Sequence, residues 1–408
     1  MKAYVVIGAA FGDEGKGLMT DYLAAKHDGK ALVVRFNGGA QAGHTVHTPL
    51  NQRHVFKHFG SGSLVGSATY LSEFFICNPI LFRDEFQQLV NLNLQPKVFV
   101  NPDAVVTTPY DMMINQILEE FRNAKRHGSC GVGINETVER NLIAEFSIRV
   151  HELFDRKKLI EKLLLIQQSW VKCRLAALGI HEISAIWQER LSSAGIMNYF
   201  LNYVDFFIDN CAVRDNQILK KFPAIIFEGA QGLLLDEVKG FFPHVTRSAT
   251  GLKNVLSIAE TVGISTLEVF YMTRAYLTRH GSGPLPFELN TLPYPAIIDK
   301  TNVTNMYQGA LRFAWLNFDL LEQAIFSDLI DAENRISVQP NLVVTCMDQL
   351  APEVQFIKEE KLIKISKSQL LEEIQKFFPG FLVWYSSGST RDTIKESKLE
   401  RINISLAV

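Results

Sequence analysis

Hydrophobic positions along the chain follow two recurring patterns. Short continuous apolar runs, rich in β-branched residues, end in glycine or polar turns: AYVVIG (3–8), ALVVRFNGG (31–39), PAIIFEGAQG (223–232), TLEVFYMTR (266–274), NLVVTCMD (341–348) and FLVWYSSG (381–388). They lack the alternation of a half-exposed hairpin strand and suit central parallel strands covered on both faces. Between them, apolar residues return at helical spacing. Leu18, Tyr22 and Leu23 form one stripe, and Leu320, Ala324 and Ile325 form another. Leucine repeats from 157 to 178, a stretch of about six turns. Strand, glycine turn, helix is the signature of an α/β fold with a mostly parallel central sheet and flanking helices. Polar residues at the strand ends should then line a crevice at the carboxyl edge of the sheet. The stretch from about 119 to 208 reads as mostly helical, an accessory lobe inside a single domain spanning 1–408.

Composition narrows the class. With 408 residues the chain can bury a substantial core, and 47% hydrophobic with 21% charged residues is the balance of a soluble globular protein. The 41 basic and 43 acidic residues leave a net charge of -2, so neither nucleic acid nor an anionic membrane is an expected partner. No segment approaches the ~20 apolar residues of a membrane span. The opening MKAYVVIGAA reads as a buried first strand rather than a signal peptide. Cys77, Cys130, Cys173, Cys211 and Cys346 are scattered without metal-ligand spacing, which fits reduced thiols in a cytoplasmic protein.

The chemistry concentrates in two glycine-rich turns. The first, GAAFGDEGKG (8–17), nearly spells a phosphate loop but has Ala10 and Gly17 where that motif needs glycine and a hydroxyl residue. Gly12, Gly15 and Gly17 allow a tight turn and close approach of a ligand. A helix beginning near Lys16 would aim free N–H groups at a phosphate, and Lys16 would add positive charge. Asp13 and Glu14 have the wrong charge for such a cradle. Either they cap the next helix, or Asp13 serves a bound Mg²⁺ or accepts a proton. The second turn, FNGGAQAGHTV (36–46), follows the second strand and can face the first. His44 sits there among glycines, where it can donate to a phosphoryl oxygen or shuttle a proton. Asp13 and His44 together suggest a base and an electrophile around one transferred phosphoryl group.

At this point the sequence resembles the adenylosuccinate synthetase family, through GDEGKG (12–17), AGHT (42–45), FEGAQGLLLD (227–236), FPHVTRS (242–248) and TRHGSGPLPFE (278–288). The resemblance implies a P-loop-like GTP-binding fold and the ligation of a 6-oxopurine nucleoside monophosphate, IMP foremost, with aspartate. GTP and Mg²⁺ would serve the reaction, and the enzyme would be a homodimer. It implies Asp13, His44 and Gln231 as catalytic residues. Asp13 and Gly43 would touch the metal. Gly12, Gly15, Lys16, Gly17 and Thr45 would hold GTP phosphates, Gln41, Gln231 and Thr246 the acceptor nucleotide, and Asp348, Ser387 and Gly388 the guanine.

The chain departs from the family pattern on the acceptor and amine sides. The arginine-rich loop expected before the family's Gly-Trp pair reads NMYQGALRFAWLNFD (305–319), with Gly309 and Leu311 where two carboxylate-binding arginines would stand. Arg312 alone remains of the run, with Arg247, Arg274 or Arg279 as possible substitutes. Ser129 and Cys130 replace the family's paired threonines at the nucleotide phosphate, and Ala144 stands where a second subunit lends an arginine, leaving Arg140 or Arg149 for that task. Ala40 and Gln41 replace a histidine–asparagine pair. The alternatives are therefore a dGMP-directed relative using ATP or GTP, or a ligase with a different amine donor.

Overall fold

The computed structural model describes residues 2–122, 131–298 and 310–398. A ten-stranded sheet organises them. Its order is Ile394–Glu396, Leu382–Ser386, Ser337–Thr345, Thr266–Arg274, Lys2–Gly8, Ile225–Gly232, Leu32–Arg35, Ala68–Leu71, Val98–Val100, Ala212–Val213. Every neighbouring pair is parallel except the first. All six apolar runs read from the sequence are strands of this sheet.

Burial on both faces explains why those runs are apolar throughout. Along the first strand Ala3, Val5 and Ile7 enter one cluster, with Leu252, Val255 and Ala259 of the helix Leu252–Val262. Val6 points the other way, onto Leu18, Met19 and Leu23 of the helix Lys16–Lys26. The 3.6-residue stripe expected near residue 320 is the helix Phe318–Ile330. The leucine repeat is a continuous helical path: Arg156–Leu165, a π-helical turn at Ile166–Trp170, then Val171–Ala177. It buries Leu159, Leu163, Ile166 and Trp170 against Phe200, Val204 and Phe207 of the helix Ala194–Asn210. Among the described residues no helix is long and apolar enough to cross a membrane.

A short antiparallel hairpin, His44–His47 with Arg53–Phe56, projects between the second and third strands of the chain's main sheet. Glu85, buried on the helix Pro79–Asn91, fixes its base, just past the Phe56 that pairs with His44, by accepting the backbone N–H groups of Lys57 at 2.9 Å and His58 at 2.7 Å. The hairpin thereby holds His44 over the end of the first strand.

Candidate active site

The carboxyl ends of the first strand and its neighbours open into a cavity of about 130 Å³, lined by Gly12, Asp13, Glu14, Gly15, Lys16, Gly17, Gly43, His44, Thr45 and Arg274. Both glycine-rich turns meet there, as the sequence suggested. A phosphoryl group placed there would be surrounded by these side chains and glycine backbones.

Backbone geometry explains the departures from an ordinary phosphate loop. Gly15 sits at φ 91° immediately before the helix Lys16–Lys26, and that helix start carries no side-chain cap. Its first N–H groups are left for a ligand. Gly17 stands where a hydroxyl residue is usual because the hairpin packs against it. A Cβ there would lie 3.2 Å from the His44 Cβ and from the Thr45 carbonyl oxygen.

The acidic pair does not cap the helix. Glu14 is buried and folds back, accepting the Ala10 N–H at 2.5 Å and the Gly12 N–H at 3.2 Å. Burial raises its carboxyl to about 7, against the pull of Lys16. It braces the loop from inside. Asp13 is half-exposed, with Oδ2 3.2 Å from Nε2 of His280. Burial alone would raise its carboxyl, but the His280 contact and the Arg274 and Lys16 cations hold it below the usual range. Asp13 is thus ionised at neutral pH. Lys16, itself buried, donates to the Gly12 carbonyl, and the Arg274 Nε donates to the Asp13 carbonyl.

His44 is built for the other side of the cavity. Its Nδ1 lies 2.7 Å from Oε1 of Glu228, a buried carboxylate that also accepts the Ser61 N–H at 3.0 Å and the Ser61 hydroxyl. Burial pushes the imidazole down to about 4 despite Glu228. Burial would raise Glu228, but His44, Arg35 and Ser61 bring it to about 2. A neutral ring facing an ionised carboxylate carries its proton on Nδ1. Nε2 is buried without a partner, and so is the Thr45 hydroxyl beside it. Buried polar atoms are rarely left unpaired, so these two atoms mark a place for a ligand.

Other residues singled out in the sequence fall into groups. The Gln231 backbone, at φ 65°, packs against Gly12, and its Oε1 is buried and unpartnered. Both amide atoms of Gln41 are likewise unpartnered, close to Gly38, whose N–H is held by the Ser248 hydroxyl at 3.1 Å. Thr246 lies just before Ser248, its N–H donated to the Leu235 carbonyl at 2.8 Å. Asp348 is exposed in the turn after Ser337–Thr345, and Ser387 and Gly388 follow the adjacent strand Leu382–Ser386, so all three share one stretch of the carboxyl edge. Cys130 lies outside the described residues.

The arginines sort differently from the sequence reading. Arg312 stands apart from the cavity. It pairs with Glu288 and donates to the carbonyls of Gly281 at 3.0 Å and Gly283 at 2.8 Å. Arg279 donates to the carbonyls of Pro284 and His244, and Arg247 pairs with Glu139. Of the three possible substitutes, Arg274 lines the cavity. Arg140 is fully buried, gripping Asp111 at 2.8 and 2.9 Å and the Phe146 and Val106 carbonyls. It is a core ion pair and cannot reach a second subunit. Arg149 remains at the surface, donating to the Asp103 carbonyl at 2.6 Å.

Sequence reasoning gave no role to Glu228, Ser61 or His280. Glu228 did carry a signal, a carboxylate inside an apolar strand that must find a partner. His280 carried none. Its importance comes from a contact between segments over 260 positions apart.

A Mg²⁺ ion fits the donor set. Among the described residues no three His, Cys, Asp or Glu side chains converge. Mg²⁺ does not need such a cage, since it keeps waters and takes one or two carboxylates together with substrate phosphates. Asp13, the backbone of Gly43 and the unpartnered Thr45 hydroxyl supply that much.

Known proteins place this arrangement. The family model for adenylosuccinate synthetase matches residues 5–332. The adenylosuccinate synthetase of Thermoplasma volcanium is 32% identical over 337 residues, covering 80% of this chain and 73% of that protein. That of Thermoplasma acidophilum is 28% identical over 407 residues, covering 98% and 88%. In fold, the chain is similar to the fully ligated adenylosuccinate synthetase of Plasmodium falciparum, with a TM-score of 0.74, 20% identity, and 97% and 100% of the two chains covered. It is also similar to the succinoaminodeoxyadenylate synthetase of cyanophage S-2L bound to dGMP and dATP, with a TM-score of 0.61, 15% identity, and 97% and 95% covered. With its family match spanning most of the chain and the phosphate-loop and histidine turns meeting in one cavity, this protein belongs to the adenylosuccinate synthetase family, ligases that form a C–N bond.

Proposed function

We propose that the protein phosphorylates O6 of a 6-oxopurine nucleoside monophosphate, IMP foremost, from GTP, and then lets the amine of aspartate displace the phosphate to give adenylosuccinate, GDP and phosphate. The observation that carries this reading is that an ionised carboxylate, Asp13, and His44, whose Nε2 is buried without a partner, line one cavity together with Lys16 and the glycine-rich turns.

The roles follow from the chemistry. Asp13 takes the proton from purine N1 as O6 attacks the γ-phosphorus. That creates a good leaving group at C6 in place of an oxygen that leaves poorly. His44 Nε2 is directed at the moving phosphoryl group. In the free protein it is an acceptor, so it must gain a proton when the polyanion arrives. Glu228, behind the ring, stabilises the imidazolium that forms. Lys16 and the free N–H groups of its helix hold the phosphate chain. Mg²⁺, held by Asp13 and Gly43, would screen charge on the transferring oxygens. In the second step the amine nitrogen bonds to C6, the C6–O bond breaks and phosphate leaves.

A second reading, dGMP as acceptor with ATP or GTP, is favoured by the acceptor side. Gln41 offers both a donor and an acceptor to a ligand there, in place of the usual residue. The cyanophage relative was solved with dGMP and dATP. The test is a matrix of IMP, dIMP, GMP and dGMP against GTP and ATP, with Mg²⁺ and aspartate, followed by mass spectrometry. Succinylated IMP supports the first reading and succinylated dGMP the second. Phosphate release without a succinylated nucleotide would mean that aspartate is not the amine.

A further inference from the structure

We propose that His280 is a positioning residue for Asp13. The inference rests on the reading of Asp13 as the proton acceptor. His280 Nε2 lies 3.2 Å from Asp13 Oδ2, and both side chains are partly buried. A carboxylate used as a base must present one oxygen to the substrate at a fixed angle. An N–H donor on Oδ2 holds the group by one oxygen and leaves Oδ1 for the purine N1 proton. Asp13 is held at its backbone as well, through Arg274 Nε on its carbonyl.

The rest of the local structure is arranged to fix His280. It follows the strand Leu277–Arg279, which pairs with Arg312–Ala314. Arg312, anchored by Glu288, donates to the carbonyls of Gly281 and Gly283 immediately after His280. Arg279, immediately before it, donates to the carbonyls of Pro284 and His244. The His244 ring in turn lies 3.1 Å from the Ser282 hydroxyl. Arg279 and Arg312, which the sequence offered as grips for a substrate carboxylate, instead donate to carbonyls that keep this loop in place. The residue that benefits is the one touching Asp13.

The test uses the full-length enzyme with Mg²⁺, aspartate and the nucleotide pair that turns over in the matrix above. His280→Ala should lower kcat by roughly 10- to 100-fold while KM for both nucleotides stays within about 3-fold. His280→Asn, which keeps an N–H donor on a short arm, should recover most of the loss. In an Asp13→Ala background, His280→Ala should cost nothing further, since it acts only through Asp13. Unchanged kcat in His280→Ala would overturn the proposal. So would a rise in acceptor KM at constant kcat, which would make His280 a substrate contact. Equal losses with and without Asp13 would also overturn it. Near-normal activity of Asp13→Ala alone would sink the reading of Asp13 as the base, a result distinct from all of these.

Discussion

His44 Nε2 is buried and unpartnered, on a residue that lines one cavity with Lys16 and Asp13. Burial keeps the free ring neutral at about 4. A bound nucleoside triphosphate brings several negative charges, which favour the charged ring. The expected outcome is that His44, followed by ¹⁵N NMR, is neutral at pH 7 alone and protonated when Mg²⁺ and a non-hydrolysable GTP analogue saturate the enzyme. A ring that stays neutral in the complex would remove its role as donor. Arg312 illustrates how a residue's type and its place can diverge. Read from the sequence it is the survivor of an amine-gripping run, but the fold commits it to Glu288 and two loop carbonyls. Arg312→Met should therefore lower kcat by about 10-fold and leave the aspartate KM within about 3-fold. A large rise in that KM with kcat intact would instead make Arg312 a contact for the aspartate carboxylates.

Elements were legible where burial was two-sided. The strand Thr266–Arg274 matches its apolar run to the residue, because its centre, Val269 to Met272, is an unbroken buried apolar stretch. Ala68–Leu71, Val98–Val100, Ala212–Val213 and Ile394–Glu396 were not read. Strands this short, without a longer apolar run and glycine turn around them as Leu32–Arg35 has, show too few positions for a period, and their pairing supplies what the sequence pattern does not. The turn around His44 was legible as chemistry because glycine density leaves a histidine no packing role. Its strand character was not, since it depends on the partner Arg53–Phe56 and on Glu85 beneath. That anchor has a pH signature. Burial would raise Glu85, but His54, His58 and the His58 N–H lower its carboxyl to about 2 from 4.5. A depressed carboxyl contributes stability that is present above 4.5 and lost as pH falls towards 2. The contribution is on the order of 3 kcal/mol. Glu85→Gln should be less stable than the parent protein in urea at pH 7, and the gap should narrow between pH 5 and 3. A gap that is constant with pH would mean that the carboxylate's charge does no such work.

For the whole molecule, the sheet order explains why distant segments act together. The phosphate-loop strand Lys2–Gly8 lies between Thr266–Arg274 and Ile225–Gly232. Asp13 therefore meets residues that follow one neighbour, and the His44 partner Glu228 comes from the other. Such pairings come from topology and cannot be read from spacing. The central claim is that the acceptor oxygen becomes phosphorylated before it is replaced, and an oxygen label follows that event directly. With the accepted nucleotide carrying ¹⁸O at C6, together with Mg²⁺, aspartate and the unlabelled triphosphate that supports turnover, every turnover should place one ¹⁸O in the released inorganic phosphate. Unlabelled phosphate formed together with the succinylated product would show that O6 leaves by another route and would contradict the account.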